Sequence, residues 1–284
     1  MQTWHTITDL RHALHLERQQ GRQIAIVPTM GNLHPGHLRL VERAREIADI
    51  VVTTIFVNPL QFSGAEDLDT YPRTLEADTR QLQALGCHHV FAPSVKEMYP
   101  HGMQRHAIVS VPGISERHCG ASRPGHFDGV ATVVSKLFNI VQPDQAVFGR
   151  KDYQQLLVIR KVIEDLAFPI ELHGVATERD AQGLALSSRN GYLDAAETAL
   201  ARALHSTLHA TAQRIQAGER NYPALEADAS AHYRALGIRP DYFHICHAAT
   251  LEPATSQDRE LVILTAAFVG DTRLIDNLEL DVVL

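Results

Sequence analysis

The chain has 284 residues, 45% hydrophobic and 21% charged, with 33 acidic side chains against 26 Lys and Arg and a formal net charge of −7. That length admits two unequal domains, or one domain with a substantial extension, and the apolar content supports a sizeable core. The acidic balance excludes a general nucleic-acid binder, so any anionic ligand must meet locally concentrated positive groups.

In chain order, the spacing predicts a helix over 6–20, a strand over 24–27 and a helix over 37–48. A strand over 50–57 and a long polar loop follow, then a helix over 74–85 stopped by Gly86, a short strand over 90–92 and a further strand at 108–111. A helix over 129–140, a strand over 146–148, a helix over 153–166 and a strand over 170–175 complete this alternation. Strands separated by helical segments imply a mostly parallel, doubly wound α/β sheet, with ligands bound beyond the carboxyl ends of its strands. The loops after Val27, Val57 and Phe148 then share one rim.

The pattern changes after Val175. A turn-rich stretch over 183–191 leads to a helix over 194–217 and another over 224–235, followed by strand-like runs over 242–247, 261–268 and 272–278. This predicts a smaller α+β domain with an antiparallel sheet. The expected domains are therefore 1–176 and 177–284. Cys87, Cys119 and Cys246 are few and far apart, as expected of reduced, buried thiols in a cytoplasmic protein. Met1-Gln-Thr-Trp-His lacks the basic start and apolar core of a secretory signal, and the longest apolar runs are too short to span a bilayer, so no membrane association is expected.

The most informative stretch is Pro28-Thr-Met-Gly-Asn-Leu-His-Pro-Gly-His37, where a buried strand hands over to a helix. At a helix start, free backbone N–H groups and the dipole favour phosphate, and His34 and His37 add donors that follow developing charge. Gly31 and Gly36 let a ligand approach the backbone. With 17 histidines in the chain, an isolated pair three apart also fits a surface accident or a helix cap, but the strand, helix and glycines around it favour a nucleotide site. A zinc site is disfavoured, since neither a metalloprotease Glu nor a nearby Cys accompanies the pair.

Three other segments carry chemistry. Phe56-Val-Asn-Pro-Leu-Gln-Phe62 offers Asn58 and Gln61, amides suited to hydroxyl and carboxylate groups, although Asn-Pro is also an ordinary turn initiator. Phe148-Gly-Arg-Lys-Asp-Tyr-Gln-Gln155 puts Lys151 at a strand-to-helix junction, where its point charge suits phosphate. Asp152 there suits a helix cap, a ribose hydroxyl or a metal ion. Ser187-Ser-Arg-Asn190 combines hydroxyl and backbone donors with the planar fork of Arg189, and also reads as a plain turn.

Taken together and in order, these motifs resemble the pantoate–β-alanine ligase family of the H-x-G-H nucleotidyltransferase superfamily. The likeness extends through Tyr71-Pro-Arg73 and His126-Phe-Asp-Gly-Val130 and covers essentially the whole chain. It implies a Rossmann-like N-terminal domain, a smaller C-terminal lid, and a homodimer that joins pantoate to β-alanine with ATP and Mg²⁺, releasing AMP and pyrophosphate. The resemblance makes Met30, Gly31, Asn32, Leu33, His34, Pro35, Gly36 and His37 the ATP loop, with His37 as proton donor. Gly149, Arg150, Lys151 and Asp152, with Leu186, Ser187, Ser188 and Arg189, become further nucleotide contacts. His34, His37, Lys151 and Arg189 are then the catalytic groups. Gln61 and Gln155, with Asn58, become the pantoate site, and Gln61 also borders β-alanine.

There are departures from the family pattern. Arg150 occupies a slot that is often acidic or Lys, Leu186 replaces a common Met and Gln182 a common Asp. Glu178 stands where a β-branched residue often contacts adenine, so it is expected to act through its backbone. The protein ligand of Mg²⁺ is not specified. Two other classes stay open: a different adenylyl- or cytidylyltransferase of the superfamily, and a non-catalytic nucleotide-binding module. The amides at Asn58, Gln61 and Gln155 speak against a phosphate-bearing acceptor, which would call for Arg or Lys there.

Overall fold

The β-branched runs of the first half form a six-stranded, wholly parallel sheet in the computed structural model, which describes residues 1–62 and 68–282. Its strands are β1 (Gln2–Trp4), β2 (Ile24–Thr29), β3 (Ile50–Ile55), β4 (His89–Phe91), β5 (Gln145–Gly149) and β6 (Glu171–Val175), in the spatial order β1-β4-β3-β2-β5-β6. Contacts divide the chain into two units. The first comprises Met1–Glu116, Arg123–Arg150 and Gln155–Ala176, and the second Arg117–Ser122, Lys151–Gln154 and Thr177–Leu284.

In the first unit β2 and β3 pair from Ile24↔Ile50 to Thr29↔Ile55. Ile24, Ala25, Ile26 and Val27 are all 0% exposed. Burial on both faces is why this strand reads as an unbroken apolar run rather than an alternation. Its helices are α1 (Ile7–Gln19), α2 (Pro35–Ile47), α3 (Leu75–Ala84), α4 (Val95–Met98), α6 (His126–Val141) and, from Gln155 on, α7 (Tyr153–Asp165). The short α5 (Cys119–Ser122) belongs to the second unit. Ala25 and Val27 pack with Leu40, Val41 and Ala44 of α2 and Leu82 of α3. Ile24 and Ile26 therefore point to the opposite face, by the two-residue alternation of a strand.

In the second unit α8 (Ala195–Ala201), α9 (Ala203–Gln216) and α10 (Tyr222–Ala235) precede an antiparallel meander of β7 (Arg239–His247), β8 (Glu260–Val269) and β9 (Thr272–Asp281). Leu204, Leu208 and Ile215 of α9 and Tyr233 of α10 share one core with Phe243, Ile245, Ile263 and Leu274 of the sheet. The expected architecture, a doubly wound parallel sheet plus a small antiparallel one, is what the chain builds.

Several elements differ from the sequence reading. Residues 108–111 form no strand: Ile108 is 65% exposed, and Val109 N–H donates instead to Thr132 Oγ1 of α6 at 2.9 Å. The helix expected over 194–217 breaks at Arg202, whose guanidinium donates to Asp180 Oδ2 through Nε and Nη2 at 3.1 and 2.9 Å. β1, α4 and α5 are three or four residues long, too short to show a period. Part of the polar loop expected after β3, residues 63–67, lies outside the described residues. All three cysteines are free and buried, and among the described residues no helix is long and apolar enough to cross a membrane.

Candidate active site

β2, β3 and β5 are parallel neighbours, so the loops after them leave one edge of the first unit's sheet. The strand order reverses between β2 and β5, which is where doubly wound sheets bind ligands.

The loop after β2 is held by its own polar groups. Thr29 Oγ1 donates to Thr54 O at 2.7 Å and accepts Gly31 N–H at 3.2 Å. Asp78 of α3, 1% exposed, takes Asn32 N–H on Oδ2 and Leu33 N–H on Oδ1, both at 2.9 Å, and Thr74 Oγ1 at 3.1 Å. Gly31 has φ +82°, and a Cβ there would lie 3.1 Å from Asp78 Oδ2 and from Ile55 Cγ2. The turn and the clamp are enough by themselves to require glycine here.

His34 caps α2. Its Nδ1 accepts Gly36 N–H at 3.1 Å, and its own N–H donates to His37 Nδ1 at 3.3 Å, a reciprocal capping box built from two imidazoles. The ring centroids are 4.0 Å apart. This corrects the expectation of free N–H groups at the helix start: His34 and Gly36 N–H are taken up in the capping box, and before the helix Gly31 N–H goes to Thr29 Oγ1 and the Asn32 and Leu33 N–H groups to Asp78 of α3. It also sets the tautomers. With Nδ1 accepting, each neutral ring carries its proton on Nε2, so both rings are Nε2–H donors.

The loop after β3 enters a 3-10 turn at Pro59–Gln61. Asn58, expected to touch the acid substrate, is 0% exposed and fully engaged. Its Nδ2 donates to Gln61 Oε1 at 3.0 Å and Gly129 O at 3.1 Å, while its Oδ1 accepts Tyr99 O–H at 2.8 Å and Leu60 N–H at 3.4 Å. Asn58 therefore supports Gln61 and has no capacity left for a ligand. Gln61 is 8% exposed, and its carbonyl receives the His126 ring at 2.8 Å and Arg123 Nη2 at 3.3 Å.

After β5, a Cβ at Gly149 would meet nothing within 4 Å, so this glycine borders open space. Arg150 Nε donates to Gly174 O of β6 at 3.2 Å. Lys151 and Asp152 belong to the second unit and end a 3-10 turn that runs straight into α7, so Asp152 lies within a turn rather than standing alone as a cap. Of the two glutamines that follow, Gln154 is committed to structure, accepting Cys119 N–H at 3.1 Å and donating to Arg117 O at 2.7 Å. Gln155 begins the first-unit part of α7.

Two residues the sequence reading missed organise the second unit's candidate segments. Asp276 of β9, 4% exposed, binds Arg179 through both guanidinium nitrogens at 2.6 and 2.8 Å. Asn277, 6% exposed, donates through Nδ2 to Lys151 O at 2.8 Å. Arg179 lies in a hairpin closed by Leu186 N–H to Glu178 O at 2.9 Å, which uses the Glu178 carbonyl. Ser187 Oγ then accepts Arg189 N–H at 3.2 Å and starts the 3-10 turn Ser188–Tyr192. The only sequence signal for the pair was two adjacent polar residues set between the apolar Leu274-Ile275 and Leu278 of a mixed strand.

Among the described residues no group of three or more His, Cys, Asp or Glu gathers to hold a metal. A magnesium ion held mainly by phosphate oxygens and water needs no such cage. Asp152, named from the sequence as a residue suited to a metal ion, has its side chain 47% exposed and 3.8 Å from Lys151 Nζ.

The comparisons with known proteins agree with this chemistry. The family model described as Pantoate-beta-alanine ligase matches residues 2–279. A pantothenate synthetase of Pseudomonas fluorescens Pf-5 is 59% identical over 281 residues, 99% of this chain and 98% of that protein. The crystal structure of the pantothenate synthetase of Thermus thermophilus matches with a TM-score of 0.91 and 45% identity, covering 98% of this chain and 99% of that one. The Francisella tularensis pantoate-beta-alanine ligase, solved with β-γ ATP and β-alanine, matches with a TM-score of 0.83 and 30% identity over 98% and 97% of the two chains. With full-length identity, a shared fold and the ordered motifs in place, the chain belongs to the pantoate–β-alanine ligase family.

Proposed function

We infer that the chain condenses pantoate with β-alanine at the expense of ATP, through a pantoyl adenylate, releasing pyrophosphate and then AMP. A carboxylate does not react with an amine until oxide is replaced by a better leaving group. Attack of the pantoate carboxylate on the α-phosphorus provides one, and the amine of β-alanine then displaces AMP from the acyl carbon.

The observation that carries the residue roles is the imidazole pair, two Nε2–H donors fixed at the start of α2. Charge grows on the α-phosphoryl oxygens and on the departing pyrophosphate, and donors already in place stabilise it without reorganising. His34 and His37 serve these oxygens, His37 protonating the leaving group. Lys151 and the Ser187, Ser188 and Arg189 segment complete the cationic set. Gly149, with open space where a Cβ would stand, lets the nucleotide lie against β5. The Glu178 carbonyl accepts Leu186 N–H and keeps a second lone pair, so the Glu178 backbone is still able to meet adenine. Gln61 and Gln155 hold pantoate, and Gln61 also borders β-alanine. Mg²⁺ neutralises phosphate charge when bound, with Asp152 as the carboxylate that would hold it.

Residues 1–176 take nucleotide and pantoate, and 177–284 act as a lid that keeps water from the adenylate. We place the chain in the cytoplasm on the strength of its three free thiols, and as a homodimer by family resemblance. The test is product analysis: AMP and pyrophosphate should form only when ATP, pantoate and β-alanine are all present beyond one turnover. Transfer of the nucleotide to a phosphate-bearing acceptor instead would refute the assignment.

A further inference from the structure

We propose that Gln61 meets pantoate only as a hydrogen-bond donor, and that Tyr99 and Asn58 impose this orientation from behind it. The inference rests on the reading that Gln61 faces pantoate, and deepens it by assigning the polarity of the contact and the residues that set it.

An amide side chain is nearly symmetric in shape, so its direction is decided by neighbours of fixed polarity. Asn58 lies between two such neighbours. Gly129 C=O can only accept, and it is 3.1 Å from Nδ2; Leu60 N–H can only donate, and it is 3.4 Å from Oδ1. Reversing the amide would set carbonyl against carbonyl and N–H against N–H. The direction of Asn58 is therefore dictated by the backbone. Its second N–H must then go to the Gln61 oxygen, 3.0 Å away, which turns Gln61 Oε1 inward and leaves Nε2–H₂ as the group presented outward. Among the described residues no hydrogen bond from Gln61 Nε2 is present. An outward donor suits the carboxylate or hydroxyl oxygens of pantoate and repels a ligand that offers only N–H.

Tyr99 closes the relay. It is 4% exposed, and its hydroxyl, 2.8 Å from Asn58 Oδ1, has to donate because that oxygen can only accept. Burial raises its pKa well above the ordinary tyrosine value, so it keeps its proton. The spacing depends on Gly129, where a Cβ would sit 2.2 Å from Leu60 O. α6 can approach the 59–61 turn closely enough to offer its carbonyl to Asn58 only because that position has no side chain. Tyr99, Asn58 and Gly129 are thus positioning residues that act through Gln61.

The experiment uses the full chain and four proteins: wild type, Gln61→Ala, Tyr99→Phe and the double variant, with pantoate and ATP affinities measured by calorimetry. Tyr99→Phe removes one oxygen from a site of unchanged shape, so the fold should survive. It is expected to weaken pantoate about fivefold, the size of one modest hydrogen bond, with ATP affinity within twofold. Gln61→Ala is expected to weaken pantoate about tenfold or more. The decisive result is non-additivity: in the Gln61→Ala background Tyr99→Phe should have no further effect on pantoate. An equal Tyr99→Phe effect in both backgrounds, or equal losses of ATP and pantoate affinity, overturns the relay. Unchanged pantoate affinity in Tyr99→Phe beside a loss in Gln61→Ala also overturns it, while leaving Gln61 as the pantoate ligand. Unchanged pantoate affinity in Gln61→Ala overturns the underlying reading itself.

Discussion

Asp78→Asn should loosen the loop that carries both histidines while sparing the rest of the fold. The carboxylate receives Asn32 N–H and Leu33 N–H at 2.9 Å each, and Thr74 O–H at 3.1 Å. Asparagine keeps the size and one acceptor oxygen but sets an NH₂ group against one of the two amides. Losing one charge-assisted bond, weakening the other and orphaning a buried N–H amounts to about 3 kcal/mol. Spent on local opening, that raises the opening constant about 100-fold. Hydrogen exchange followed by mass spectrometry over residues 28–40 should show Asn32 and Leu33 exchanging roughly 100-fold faster, with β3 and α6 unchanged. The affinity for ATP should fall at least fivefold, because the capping box at His34 follows the loop. Unaltered protection of the two amides would refute the clamp. Uniformly faster exchange across the first unit would show that Asp78 serves the global fold instead.

His37→Ala should lower pantoate-dependent pyrophosphate release about 100-fold, some 3 kcal/mol of transition-state stabilisation, and cost about 1 kcal/mol of stability through the lost cap; a near-native rate would contradict its role. Without β-alanine the wild type should release about one pyrophosphate per site and stall, whereas Arg189→Ala should form adenylate more slowly and lose it to water, seen by rapid quench as regenerated pantoate. Continuous pyrophosphate turnover by the wild type under those conditions would rule out a sequestered adenylate. Burial lowers the His118 pKa from 6.5 to about 4, so the unfolded chain takes up the proton first and stability falls as pH drops through that window, by about 3 kcal/mol. His244, His88 and His89 shift in the same direction. His118→Gln should make the urea midpoint less steep between pH 6.5 and 4, and an unchanged slope would refute the assignment.

The fold was legible where a period could be counted. The run 24–27 names itself as a doubly buried strand because no polar residue interrupts it, and α2 and α6 show helical spacing over three turns or more. The sequence singles out the histidine loop as a candidate site, but not its hydrogen bonding, because Asp78 lies 45 and 46 residues beyond the amides it binds. Nothing local marks a helical Asp as a clamp rather than a solvated charge. Asn58 was found for its chemistry and misread in its role, since sequence shows that an amide is present but not whether a tyrosine hydroxyl and a glycine carbonyl already occupy it. Asp276 and Asn277 escaped notice for the converse reason, two polar residues in a strand that attract no attention until both prove buried. The segments 117–122 and 151–154 are too short for any pattern to reveal their membership of the second unit.

That membership has a consequence during synthesis. His118 and Cys119 find their partners His244 and Tyr242 126 and 123 residues later in the chain. At ~5–20 residues per second the ribosome needs roughly 6–25 s to supply those partners. Within that interval β5 and β6 are made and complete the first sheet while these side chains still lack their partners, including a thiol that is buried in the finished protein. Chaperone occupancy and thiol labelling of the nascent chain should therefore be highest after residue 176 has left the tunnel and should collapse only when β7 follows.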